Sequence, residues 1–139
     1  IAGVATAGIP HGALLADRLG LPYIYIRSKA KEHGRQNQIE GSLKKNGRYL
    51  MIEDLISTGG SVLQACDALK SAGGEVAGVL AIFTYQFPLA AQAFNKANIE
   101  FATLSNYSAL LETAVDNGTI SADTVETLKS WREDPSTWG

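Results

Sequence analysis

Between Arg48 and Ser61 the chain reads RYLMIEDLISTGGS, and that order dictates a local architecture. A β-prone run, Tyr49 to Glu53, ends in an acidic pair, Glu53-Asp54. It then passes through Ser57-Thr58-Gly59-Gly60-Ser61 into an amphipathic helix. Glycines let the backbone close around a ligand, and the unpaired N–H groups of a helix start, aided by its dipole, favour an anion there. The two carboxylates either hold a metal or accept hydrogen bonds from sugar hydroxyls. The stretch reads as a site for a phosphorylated sugar at a strand-to-helix junction.

The remaining chain supplies the sheet that such a junction needs. Ile1 to Thr6 is a short buried strand, and a Gly8-Ile9-Pro10 turn leads into a helix over 11–19 capped by Gly20. Pro22 to Arg27 alternates aromatic and Ile residues as a second strand. Residues 28–46 lack periodicity and are rich in charge, which predicts a mobile lid. After the strand from Arg48 to Glu53 comes a helix over 61–72 with Val62, Ala65, Cys66 and Leu69 on one face. Glu75 to Tyr85 is the central strand, and Pro88 opens the next helix. Glu100 to Leu104 is the last strand, followed by helices over 105–116 and 121–133. One domain, 1–139, with an α/β fold follows: a doubly wound, mostly parallel sheet flanked by helices, with ligands beyond the carboxyl ends of its strands.

Composition narrows the function classes. No apolar run is long enough to span a membrane and no signal sequence opens the chain, so a cytoplasmic protein without membrane contact is expected. Residue 1 is Ile and Met51 is the sole methionine, which predicts further sequence upstream. The net charge is −2, yet seven of the twelve basic residues lie between Arg27 and Arg48. No aromatic residue interleaves with them to stack on bases, so the local positive field suits a small anion and not nucleic acid. Cys66 on an apolar helix face reads as a packed thiol.

Several other sites fail on their residues. After Gly8 comes Ile9-Pro10 where a P-loop needs Lys and a hydroxyl. No G-x-G-x-x-G follows a strand. His11 and His33 are the only histidines and have no cysteine pair for zinc. No G-x-S-x-G elbow supports acyl transfer.

Glu53 to Ser61, EDLISTGGS, resembles the phosphoribosyl-diphosphate (PRPP) motif of the type I phosphoribosyltransferases. The spacing Arg27-x3-Lys31-Glu32-His33-Gly34 is similar to the catalytic loop of their orotate-specific members, and Ala5-Thr6-Ala7-Gly8-Ile9-Pro10 to their first substrate loop. The resemblance covers essentially the whole chain and implies orotate phosphoribosyltransferase activity in pyrimidine (UMP) biosynthesis, with the family's N-terminal part lacking. It implies that Glu53 and Asp54 engage the ribose hydroxyls, that Ser57, Thr58, Gly59, Gly60 and Ser61 hold the 5-phosphate, and that Leu55 and Ile56 belong to the same PRPP-binding stretch. Arg27, Lys31 and His33 would meet the diphosphate, Ser57 would also touch orotate, and Lys31, His33 and Asp54 would be the catalytic set. Mg2+ would be the cofactor, carried by the substrate with no direct protein ligand. The partners would be PRPP, orotate and a second copy of the chain, in a homodimer whose lid is shared across the interface. Two departures stand out: Ser28 follows the loop arginine where some members have lysine, and Thr84-Tyr85-Gln86-Phe87 replaces an orotate-binding arginine of others. The alternatives are a non-catalytic PRPP-sensing regulator, for which the Arg27-to-Gly34 loop would be superfluous, and a purine-type phosphoribosyltransferase.

Overall fold

The structure, a computed structural model, describes residues 1–27 and 38–137. Six strands form one sheet: β1 (Ala2–Val4), β2 (Ile24–Ile26), β3 (Ile39–Glu40), β4 (Arg48–Ile56), β5 (Glu75–Thr84) and β6 (Phe101–Asn106). Their spatial order is β3-β2-β1-β4-β5-β6, and every neighbouring pair is parallel except β2 with β3. The expected mostly parallel α/β sheet is therefore observed. Five helices connect and follow the strands: α1 (Gly8–Leu19), α2 (Gly60–Ser71), α3 (Pro88–Ala97), α4 (Tyr107–Asp116) and α5 (Ala122–Glu133). Among the described residues, no helix is long and apolar enough to cross a membrane.

Strand β4 shows how the two cores arise. Its side chains alternate across the sheet: Tyr49 and Met51 join the larger core with Val62, Cys66, Leu69, Val79 and Phe94. Leu50 and Ile52 turn to the other face, where Ile1, Leu15, Ala16 and Tyr23 pack. Cys66 is fully buried in the larger core, and burial pushes its thiol up to about 11, as a packed, unreactive cysteine requires.

Several boundaries differ from the sequence expectation: β1 and β2 are shorter at both ends, β6 runs to Asn106 so that α4 starts at Tyr107, and three further differences frame the site. Strand β4 continues through the acidic pair to Ile56 instead of stopping at Glu53, because Leu55 and Ile56 still pair with Phe83 and Thr84 of β5. Helix α1 begins at Gly8, absorbing the expected turn, since Pro10 lies in the first helical turn where an N–H has no intrahelical partner to lose. Within the expected lid, residues 38–46 carry the edge strand β3, too short for any periodicity to reveal. The preceding stretch, 28–37, lies outside the described residues.

Gly8 permits the closest approach of helix to sheet. A Cβ there would overlap the Ile52 carbonyl and press on the Glu53 Cα at 3.4 Å. Gly8→Ala is expected to push α1 off β4 and destabilise the protein by about 1–3 kcal/mol, the usual range for overpacking. Urea unfolding of the two proteins side by side measures this, and an unchanged midpoint contradicts the constraint.

Candidate active site

The strand order reverses between β1 and β4: the chain leaves β1 toward β2 on one side and leaves β4 toward β5 on the other. Such a switch point opens a crevice beyond the carboxyl ends of the strands. Two helix N-termini flank it. Neither α1, entered from Ala7, nor α2, entered from Gly59, has a side-chain cap, and neither carries an acid in its first turn. Their orphan N–H groups and positive dipole ends are thus available to an anion. The start of α1 is held by the Tyr23 hydroxyl, which donates to the Ile9 carbonyl at 2.8 Å. The peptide joining Ala5 and Thr6 is cis.

After β4 come the glycine turn and helix start that the sequence suggests. Ile56 is fully buried, so its side chain anchors the cradle in the core. Ser57 and Thr58 are exposed, and Gly60 and Ser61 are the exposed first residues of α2. Leu55 is at the edge of exposure. Gly59 adopts φ 83°, a left-handed conformation, and a Cβ on it would sit 2.9 Å from the Phe94 ring. Only glycine turns the chain here without strain or displacement of a core aromatic.

The acidic pair lies on the strand under this turn. Glu53 is 5% exposed, whereas Asp54 is half-buried. The Asp54 N–H donates to Glu53 Oε1 at 3.0 Å. Burial, followed by hydrogen bonding with the Asp54 side chain, pushes the Glu53 carboxyl up to about 8, against the Asp54 backbone N–H, which favours the charged form. Below that pH Glu53 keeps its proton and can donate to a hydroxyl oxygen as well as accept from one. Among the described residues, no group of three or more His, Cys, Asp or Glu side chains could hold a metal ion. A hard cation here would be carried by substrate oxygens and its own waters.

Arg27 stands at the end of β2. Its N–H donates to the Gln38 carbonyl at 2.8 Å, and its guanidinium lies 3.6 Å from Glu40 on β3. It shares with Ala5 and Ser61 the lining of a cavity of about 760 Å3 that runs along α2. The cavity brings Arg27 to the same opening as the first substrate loop and the end of the cradle, but Glu53 and Asp54 do not line it. Lys31 and His33 lie outside the described residues.

Thr84 and Gln86, marked in the sequence only as standing where other members carry an arginine, form hydrogen bonds behind the cradle. Among the described residues, Thr84 is buried to the same 5% exposure as Glu53. Its hydroxyl donates to the Ile56 carbonyl at 3.1 Å, and the Tyr85 N–H reaches the same oxygen at 3.3 Å. Gln86 follows at φ 61°. A polar residue ending the apolar run VAGVLAIFT was the available signal for Thr84.

A switch-point crevice with two uncapped helix N-termini and a glycine turn behind two carboxyls defines an α/β protein whose strand-to-helix junction favours an anion. The family model for the phosphoribosyl transferase domain matches residues 1–101, and the chain belongs to that family. It is 52% identical over 139 residues to an orotate phosphoribosyltransferase of Porphyromonas gingivalis, covering 100% of this chain and 66% of that one. It is 53% identical over 135 residues to the Bacillus subtilis protein of that name, covering 97% and 62% respectively. Both shares fall just short of two thirds of the relatives' own length. Among solved structures, the orotate phosphoribosyltransferase from Aeropyrum pernix superposes with a TM-score of 0.73 at 31% identity, over 81% of this chain and 62% of that one.

Proposed function

We propose that the protein transfers the 5-phosphoribosyl group from PRPP to N1 of orotate, giving orotidine 5-phosphate and diphosphate on the route to UMP. The observation that carries this reading is the uncapped start of α2, reached through the left-handed Gly59 a short turn beyond the Glu53-Asp54 pair. That order matches a sugar phosphate seated on N–H groups with its ribose hydroxyls over the carboxyls. The 52% identity with the Porphyromonas gingivalis relative is measured over the whole chain, the segment that holds Lys31 and His33 included.

In this reaction the bond from C1 to diphosphate breaks as positive charge grows on the ribose ring, and the N1 lone pair of orotate forms the new bond. The cradle fixes the 5-phosphate, and Ser57 also touches the base. Glu53 and Asp54 orient the 2- and 3-hydroxyls, so C1 is presented in line with the nucleophile. Arg27, Lys31 and His33 offset the charge that develops on the departing diphosphate. Mg2+, carried by the substrate with no direct protein ligand, would supply Lewis-acid neutralisation of the leaving group. Closure of the lid, shared across a homodimer, keeps water from C1. The cytoplasm is the fitting compartment for this chemistry.

Loss of orotate absorbance in the ultraviolet, with PRPP and Mg2+ present, tests the reading. Consumption of a purine base in its place, or binding of PRPP without turnover of any base, would replace it by a purine-type enzyme or a regulator. Asp54→Asn is expected to weaken PRPP binding about 10- to 100-fold, as loss of a charged hydrogen-bond acceptor does. An unaltered PRPP titration would remove Asp54 from its sugar-hydroxyl role.

A further inference from the structure

We propose that Gln86 is a positioning residue through which helices α4 and α5, both beyond the part of the chain matched by the family model, set the shape of the phosphate cradle. The inference rests on the cradle's role in the proposed function and extends it to residues with no part in the chemistry.

The connection is a continuous set of hydrogen bonds. It begins at the Ile56 carbonyl, the last before the cradle, which accepts from the Thr84 hydroxyl at 3.1 Å. The same hydroxyl oxygen accepts from the Gln86 N–H at 3.0 Å. The Gln86 side chain then carries the linkage outward. Its Oε1 accepts from the Ser108 N–H at 3.0 Å, from the Ser108 hydroxyl at 2.7 Å and from Arg132 Nη1 at 3.3 Å. Arg132 Nη1 also donates to the Ser108 hydroxyl at 2.9 Å, closing the triangle. Ser108 lies in the first turn of α4, so Gln86 serves as an outside acceptor for one of that helix's orphan N–H groups, beside the Asn106 cap on Ala109.

The backbone testifies to the demand on this position. Gln86 is held at φ 61°, a conformation that residues with a Cβ seldom adopt, and the surrounding contacts over-determine it. On either side of it, the rings of Tyr85 and Phe87 stack at 5.2 Å, and Trp131 of α5 meets both edge-on at 5.8 and 5.5 Å. No residue of α5 is buried, so Trp131 and its neighbour Arg132 are the helix's principal attachment to this loop. Removing the Gln86 side chain would break the loop's hydrogen bonds to both helices, leaving the ring contacts of Tyr85 and Phe87 with Trp131 as its attachment to α5.

All three groups on Oε1 are donors, which makes the side chain replaceable by a carboxylate but not by a residue without an acceptor. In the whole protein, Gln86→Gly relieves the backbone strain while deleting the acceptor. It is expected to raise the KM for PRPP about five- to tenfold, the scale of a lost hydrogen bond, with kcat at saturation within about twofold. Gln86→Glu should restore a KM near that of the wild type. Arg132→Ala should reproduce part of the defect, and adding it to Gln86→Gly should cost less than the sum of the two. A merely structural role predicts a lowered melting temperature with KM unmoved in Gln86→Gly, or a Glu variant as impaired as the Gly variant. Either result overturns the inference. Calorimetric titration with ribose 5-phosphate separates this from the proposed reaction. Wild-type binding without orotate turnover refutes the reaction alone, and equal affinity in wild type and Gln86→Gly refutes the positioning role alone. A wild type that binds neither ribose 5-phosphate nor PRPP refutes both.

Discussion

Lys31→Ala is expected to lower kcat by about 10²- to 10³-fold, the cost of removing one preorganised donor to charge that develops in a transition state. The leaving diphosphate gains negative charge as the C1 bond stretches, so a cation aimed there stabilises the transition state more than the ground state. Arg27, the described member of the basic set, already shares its charge with Glu40 at 3.6 Å. A compact ammonium on a flexible stem is better suited to follow the departing group than a planar guanidinium held in a fork. The loss should therefore fall on kcat, with a smaller change in the KM for PRPP. Steady-state rates at saturating PRPP and orotate measure the split. A variant with normal kcat and a raised KM would assign Lys31 to ground-state binding and leave the transition-state charge to other residues.

Glu53→Gln is expected to stabilise the protein, and increasingly so as the pH rises. The folded carboxyl is raised to about 8 from an ordinary value of 4.5, mainly by burial. Below the ordinary value both folded and unfolded states hold the proton, and the residue costs nothing. Between the two values the unfolded chain ionises while the folded one does not, so stability falls with rising pH, and it levels off above the folded value. Gln keeps the oxygen that accepts from the Asp54 N–H but cannot ionise. The two proteins should be close in stability near pH 5 and differ by on the order of 2–3 kcal/mol near pH 8, allowing for solvent on the Asp54 side. Denaturant unfolding at several pH values reads this directly, and parallel curves for the two proteins would contradict the burial argument. PRPP binding should weaken in the same variant if Glu53 orients a ribose hydroxyl, so stability and function are expected to move in opposite directions. That trade is common where an ionisable group is buried for use.

The strands and most helices were legible in the sequence because each is signalled locally. β5 announces itself as an unbroken apolar run, α2 by Val62, Ala65, Cys66 and Leu69 on one face, and α3 by Pro88 at its first position. Errors fell where a partner decided. β4 outruns its own pattern because β5 offers a ladder as far as Thr84. β3 exists because β2 has a free edge, and two residues carry no period of their own. α1 starts early because Gly8 can press against the Ile52 carbonyl, a contact that pairs residues 44 positions apart.

The sequence alone determined the cradle. Strand, acidic pair, glycine turn and helix start follow one another within 14 residues, Arg48 to Ser61, and local backbone chemistry suffices to join them. Only the tertiary structure decided the protonation of Glu53, since desolvation depends on what packs above the strand. It alone decided that Arg27 answers to Glu40, and that Thr84, Gln86, Ser108 and Arg132 form one set of hydrogen bonds behind the cradle. Those residues are separated by up to 48 positions and share no motif. Hydrogen bonds act over about 3 Å, and which groups come that close is a property of the folded chain.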